Sequence, residues 1–299
     1  MSRTAAIPDQ DVVARRLLGG SVRRSYEPAV AIDWDAPLDP DKYFLPPEVI
    51  SLYGTALWEE MTEEQRIELS RQELANVLSV GIWFENLLNR ALLRQLLRED
   101  PRSSHAHYTL TEMGDECRHM VMFGRVIDRV GARHYRLRAV DRMVWDVLPF
   151  FLRGSLLWVA ALVGEEIFDA LQRRMMTDPR LQPIVAQLMR IHVTEEARHI
   201  KFAREGVVRR MQDAGRLERV LTGNLVGIGG PLFRTAFTNP AMYRRAGLDP
   251  KRARREARAN PHFHEASVFG FAPLAEFLLG NRLLGPIGRL MWRRAGFLP

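Results

Sequence analysis

The chain has 299 residues, 46 % hydrophobic and 26 % charged, with a formal net charge of +7: the composition of an ordinary globular protein. No stretch approaches the eighteen or more uncharged apolar residues that span a bilayer; the most apolar run, Leu156 to Val163, is short. A lone cysteine excludes an internal disulfide, and Arg15-Arg16 is followed by Arg23, Arg24 and Glu27 where an export signal needs an apolar segment, so the protein reads as cytoplasmic.

In residues 1–60, Pro8, Pro28, Pro37, Pro40, Pro46 and Pro47 break any long periodicity, which predicts an extended arm with short helical pieces wrapped on a core. Thr62, with Gln65 three positions on, forms a capping box that opens a helix running to about Glu99, where Asp100-Pro101 stops it. A second helix is predicted from about Ser104 to Arg129, ended by Gly131, and a third from beyond Pro149 to near Met176. Asp178-Pro179 has the form of an N-cap and N1 proline for a fourth, reaching about Gln212. Beyond Gly215 the pattern is helical but interrupted by Gly229-Gly230-Pro231, Pro240, Pro250, Pro261 and Pro286, which predicts several short helices over one end of the bundle. Alternating β-type runs are missing, so the fold class is all-α: a single helical domain over 1–299, made of an arm (1–60), a four-helix bundle (61–215) and a basic C-terminal helical region (216–299) packed on it.

The charge excess is confined to that last region. Residues 217–299 carry thirteen Lys or Arg against five Asp or Glu, densest at Lys251-Arg252-Ala253-Arg254-Arg255. The run lacks the interleaved aromatics of a nucleic-acid platform, so no nucleic-acid partner is expected and it reads as a solvated face or a contact to an acidic surface.

The chemistry lies in a pattern written twice. Glu116-Cys117-Arg118-His119 is matched eighty residues later by Glu196-Ala197-Arg198-His199; Asp115 and Glu195 precede them, and Glu85 and Glu165 each stand thirty-one residues upstream of the motif glutamate. Average composition yields one such acidic-Glu-x-Arg-His pentad only about once in a few hundred chains of this length. On a helix, Glu-x-x-His puts both side chains on one face a turn apart. Thirty-one residues is the distance out along one helix, round a turn and back to the same depth, so two hairpins would bring four glutamates and two histidines to one level of the core.

Candidate metal ligands are therefore Glu85, Glu116, His119, Glu165, Glu196 and His199, with His192, four residues before Glu196 on the same helix face, as a seventh. The other repeat has Glu112 at the matching place, for which a solvated or outer carboxylate is the plainer reading. Glu166 offers another register, but the matched spacing selects Glu165. Four carboxylates neutralise two divalent ions, and oxygen and imidazole donors without thiolate fit iron, with manganese also compatible. Asp115 and Glu195 suit the free N–H of a ligand histidine, and Arg118 and Arg198 suit those acids. Cys117 reads as a buried inert thiol. Gly81, Ala161 and Ala203 on the same stripes either leave space for dioxygen and substrate or allow close helix packing. Phe123 stands one turn after His119, where a ribonucleotide reductase small subunit would carry a radical tyrosine, and His262 and His264 read as ordinary polar residues.

These motifs resemble the ferritin-like di-iron carboxylate proteins. The third histidine, in His192-Val193-Thr194-Glu195-Glu196-Ala197-Arg198-His199, narrows the resemblance to the p-aminobenzoate N-oxygenase (AurF-type) family, from about Leu52-Tyr53-Gly54 through Trp83-Phe84-Glu85 to the end of the fourth helix. The resemblance implies a ferritin-like bundle holding two iron ions (Fe2+/Fe3+), activation of O2, oxygen transfer to the nitrogen of a small amine or arylamine to give hydroxylamine and nitro products, an external electron donor and a homodimer. Hydroxylation or desaturation of a carbon substrate uses the same ligands, and ferritin-like iron binding without catalysis is the non-enzymatic alternative.

Overall fold

The computed structural model describes residues 9–137 and 139–298. The arm contains α1 (Gln10–Arg23), α2 (Pro28–Ala31) and α3 (Ala56–Glu59). The bundle contains α4 (Glu63–Leu96), α5 (Ser104–Arg129), α7 (Ser155–Met175) and α8 (Pro183–Asp213), with α6 (Ala139–Val147) between its halves. Then follow α9 (Arg216–Thr235), α10 (Pro240–Arg245), α11 (Pro250–Ala259), α12 (Pro261–Gly280) and α13 (Pro286–Arg294). None of the described helices is long and apolar enough to cross a membrane.

Local chemistry sets the bundle ends. Thr62 accepts from the Gln65 amide while the Gln65 side chain accepts from the Thr62 amide, so the capping box holds the start of the 34-residue α4. Ser103 caps α5 through the Ala106 amide. Helix α7 starts from Gly154 at φ +56°, where a side chain would meet Glu218; that carboxylate accepts from the Ser155 amide and hydroxyl and is held by Arg210 at 2.7 Å. Arg210 and these Ser155 hydrogen bonds, working against burial, pull the Glu218 pKa down to about 2.

Helices α4 and α5 form one antiparallel hairpin and α7 and α8 the other; the two dock through α5 on α8 and α4 on α7. On α5 and α8 the core divides into two apolar halves. One holds Tyr108, Phe202 and Val207, the other Phe123, Val126, Val185 and Leu188, and between them lies the stretch carrying both Glu-x-x-His motifs. The polar layer is thus capped by hydrocarbon above and below.

Three expectations need correction. Asp178-Pro179 does not open α8. The Asp178 carboxylate instead takes the Arg180 amide and guanidinium, and Tyr43 and Leu181 form an isolated parallel bridge with the arm, so the chain turns helical only at Pro183. The arm holds a 14-residue helix, α1, whose Val13, Ala14 and Leu17 are buried against α5 and α8. The C-terminal region does contain short helices, α10, α11 and α13, but is not made of them alone. Helix α9 runs 20 residues across the Gly-Gly-Pro segment, and α9 and α12, also of 20 residues, lie along α7. On basic α11, Arg252 pairs with Glu60 at 2.6 Å and Glu256 at 2.8 Å, which ties that helix to the arm.

Candidate metal centre

Each bundle helix sends acid or imidazole into the polar layer: Glu85 from α4, Glu112, Glu116 and His119 from α5, Glu165 from α7, and His192, Glu196 and His199 from α8. All eight are at most 3 % exposed. Glu85, His119, His192 and Glu196 each offer a ligand atom within 4.8 Å of the others; so do Glu116, Glu196 and His199, and so do Glu112, Glu116 and Glu165. The structure therefore brings all seven sequence-predicted ligand candidates to one place. Glu165 turns into the cluster, whereas Glu166 pairs with Arg204.

The imidazoles are oriented from behind. His119 Nδ1 lies 2.8 Å from Glu116 Oε2, while its Nε2 lies 2.9 Å from Glu195 Oε2. His199 Nδ1 lies 2.8 Å from Glu116 Oε1, while its Nε2 lies 3.3 Å from Asp115 Oδ2. Each acid preceding a motif thus serves the histidine of the opposite hairpin, and an acid on Nε2 leaves Nδ1 as the ligating nitrogen. Asp115 pairs with Arg118 and, at 3.3 Å, with Arg198. The Arg198 guanidinium also donates to the Arg24 carbonyl at 3.0 Å, and Glu195 Oε1 accepts the Tyr26 amide at 3.1 Å.

His192 differs. Its Nδ1 faces the amide oxygen of Gln172 at 2.9 Å; its Nε2, 3.3 Å from Glu196 Oε1 and 3.8 Å from Glu85 Oε1, has no hydrogen-bond partner. An amide oxygen only accepts, so Nδ1 carries the proton and Nε2 presents a lone pair to the cluster. Burial lowers the His192 pKa to about 4, which keeps that ring neutral. Burial also works against a charged His119 and His199, but Glu116 and the surrounding carboxylates outweigh it and raise both.

Most of the cluster's carboxylate oxygens lack donors. Both oxygens of Glu112, Glu165 and Glu196 and one of Glu85 are buried without a hydrogen bond. Burial, reinforced by mutual repulsion, drives Glu85, Glu112 and Glu165 well above the usual carboxylate range. Such groups need a proton or a cation, and the convergence of unsatisfied oxygens with imidazole nitrogens fits divalent first-row metal ions, whose binding would displace the protons of His119 and His199.

Some neighbours depart from expectation. Glu112 is buried, not solvated. Cys117 is exposed, because it lies one position round α5 from Glu116 and points away from the core beside Asn89 at 3.6 Å. Gly81 leaves no space: a side chain there would meet the ring of Phe123, which stacks on His119 at 6.2 Å and lies tilted against His192 at 5.1 Å. Gln172 was missed, although it lies seven residues after Glu165 on the same face of α7. Tyr26 and Arg24 act through their backbones and carry no side-chain signal. His262 and Glu265 are 3.9 Å apart on α12, outside the cluster. A groove of about 950 Å³ near Asn224 and Leu283 shares no residue with the cluster. The orphaned donor atoms place the chemistry at the carboxylates, not there.

A helical bundle with a buried carboxylate–histidine cluster able to bind metals defines the class as helical metal-binding proteins. The sequence profile described as P-aminobenzoate N-oxygenase AurF matches residues 7–280, and the chain belongs to this oxygenase family. An uncharacterized protein of Mycobacterium tuberculosis and one of Mycobacterium bovis are each 30 % identical over 92 % of this chain and 83 % of their own length. Two structures of R2-like ligand-binding oxidase variants, with aerobically and anaerobically reconstituted Mn/Fe cofactor, share the fold. Each has a TM-score of 0.52 and 14 % identity, covering 95 % of this chain and 96 % of theirs.

Proposed function

We propose that this oxygenase is a di-iron N-oxygenase that inserts oxygen from O2 at the nitrogen of a small amine or arylamine. The observation that carries the reading is the convergence of Glu85, Glu116, His119, Glu165, His192, Glu196 and His199 in one layer with imidazole nitrogens and carboxylate oxygens unsatisfied. These seven would hold two iron ions, and manganese fits the same donor types. When bound, the ions supply the binding and reductive activation of dioxygen.

The chain's own contribution is orientation and exclusion. Glu195 and Asp115 keep the His119 and His199 rings turned so that Nδ1 faces inward, and Gln172 does the same for Nε2 of His192. Phe123 on one side, and Tyr108 with Phe202 on the other, keep water from the layer. The reading includes an external electron donor, a cytoplasmic location and a homodimer. A second copy would cover Met143, Val144, Phe150, Phe151, Leu217 and Leu221, apolar side chains between 48 % and 72 % exposed near the α6 and α9 segments.

The test is anaerobic loading with Fe2+, metal counting, and mixing with 18O2 in the presence of an arylamine. Two irons per chain and label on the amine nitrogen support the proposal. Label on carbon alone would replace N-oxygenation with hydroxylation, and many ferric ions per chain without product would point to storage.

A further inference from the structure

The internal repeat pairs Glu85 with Glu165, Glu116 with Glu196, His119 with His199, and Glu112 with His192. Glu85, His119, His192 and Glu196 form one compact donor set. Replacing each by its counterpart gives Glu165, His199, Glu112 and Glu116. The structure gathers Glu112, Glu116 and Glu165 within the same 4.8 Å limit, and His199 Nδ1 lies 2.8 Å from Glu116 Oε1. The two donor sets are thus related by the repeat, with a carboxylate standing in one where an imidazole stands in the other.

We infer that Glu112 is a metal ligand, so that the centre consists of two unlike positions: one with two imidazoles and two carboxylates, the other with one imidazole and three carboxylates. The inference rests on the binuclear reading above and adds an eighth ligand to it. Its independent support is Glu112 itself, which is 1 % exposed with both carboxylate oxygens lacking any hydrogen-bond partner. Of the polar side chains a turn before it, Thr109 donates to the His105 carbonyl, and the buried hydroxyl of Tyr108 is also without a partner and makes no bond to Glu112. An acid buried with neither oxygen hydrogen-bonded, and with an oxygen near those of Glu116 and Glu165, is placed as a ligand is placed. Carboxylate donors suit Mn2+ as well as Fe2+, whereas added imidazole favours the later metals of the series. The position containing Glu112 is therefore the harder one and the more tolerant of Mn2+.

The test is anaerobic equilibrium dialysis of the full-length protein against Fe2+ or Mn2+, with metal counted per chain and folding followed by circular dichroism. The wild type binds two ions. Glu112→Gln and Glu112→Ala should keep the first and bind the second about tenfold or more weakly, the loss typical when a metal's supporting group is removed. Glu112→His, which copies the other position, should keep two Fe2+ and lose preference for Mn2+. If Glu112→Gln and Glu112→Ala bind two ions with wild-type affinity, the inference fails and the two-metal reading stands; a wild type that binds none removes both. Should the variants not fold, anomalous diffraction from metal-loaded wild-type crystals decides. An ion about 2.2 Å from a Glu112 oxygen supports the assignment, and two ions with neither near Glu112 overturn it.

Discussion

Glu195 reaches across the bundle to His119, its Oε2 lying 2.9 Å from the Nε2 of a ring 76 positions earlier on the opposite hairpin. Asp115 returns the same contact to His199 at 3.3 Å. Acids in this place fix ring orientation and raise imidazole basicity. Glu195→Ala and Asp115→Ala should each lower Fe2+ affinity by about 10–100-fold, measured by chelator competition. The helical circular dichroism should stay intact, and Glu195→Gln should retain part of the affinity because its amide oxygen still accepts.

Gln172 has a narrower role. Without its amide oxygen nothing holds the His192 proton on Nδ1, and the tautomer that turns an Nε2–H toward the Glu196 and Glu85 carboxylates becomes available. Gln172→Leu should weaken metal binding by about tenfold, and Gln172→Glu, which keeps an acceptor, should recover it. The nitrogen chemical shifts of His192 in the metal-free protein provide the second readout: Nδ1–H in the wild type and a mixture in Gln172→Leu.

Helix α4 approaches α7 at one glycine. A side chain at Gly164 would occupy the space of the Phe84 ring. Gly164→Ala should cost about 1–3 kcal/mol as overpacking, seen as a lower denaturant midpoint. Adding Phe84→Leu should return part of the loss, because neighbours in contact couple.

Glu73 gives a pH signature outside the metal layer. Burial, only partly offset by hydrogen bonds from Ser51, pushes its pKa up to about 7 from an unfolded value of 4.5. The folded state therefore holds a proton that the unfolded state has released between those values, so stability falls as pH rises from about 4.5 to 7 and is level beyond. At 1.36 kcal/mol per unit this difference is about 3 kcal/mol. Glu73→Gln should remove that slope, making the variant more stable than wild type at pH 8 by up to this amount and nearly equal at pH 4.5. Thermal melts across this range check it, with the wild-type-minus-variant difference isolating Glu73 from the other carboxylates.

What could be read in the sequence was periodic or local. Matched thirty-one-residue spacings and Glu-x-x-His turns are properties of single helices and hairpins, which is why Glu85, Glu116, Glu165 and Glu196 were found together. Gln172 and Glu112 have the right helical phase, but phase alone does not say whether a polar side chain meets a histidine, an empty core or water; that depends on how α7 and α5 rotate against α8. Asp178-Pro179 misled for another reason. Its local cap chemistry is genuine, but Arg180 and the bridge from Tyr43 to Leu181 consume it. The Gly-Gly-Pro of α9 misled in the opposite sense: packing along α7 and α13 sustains a helix where composition suggested a break.

The hydrogen bonds from the arm have a consequence for which residues the centre includes. Arg24 gives a carbonyl to Arg198 and Tyr26 gives an amide to Glu195, both from the main chain. Excising the bundle as a cassette would strip these buried ionic groups of their anchors, so the arm segment carrying Arg24 and Tyr26 belongs to the centre as much as the helices do. The bond to Arg198 uses only the carbonyl at position 24, so any residue there can supply it, whereas position 26 must keep an amide N–H and a side chain that packs on the core.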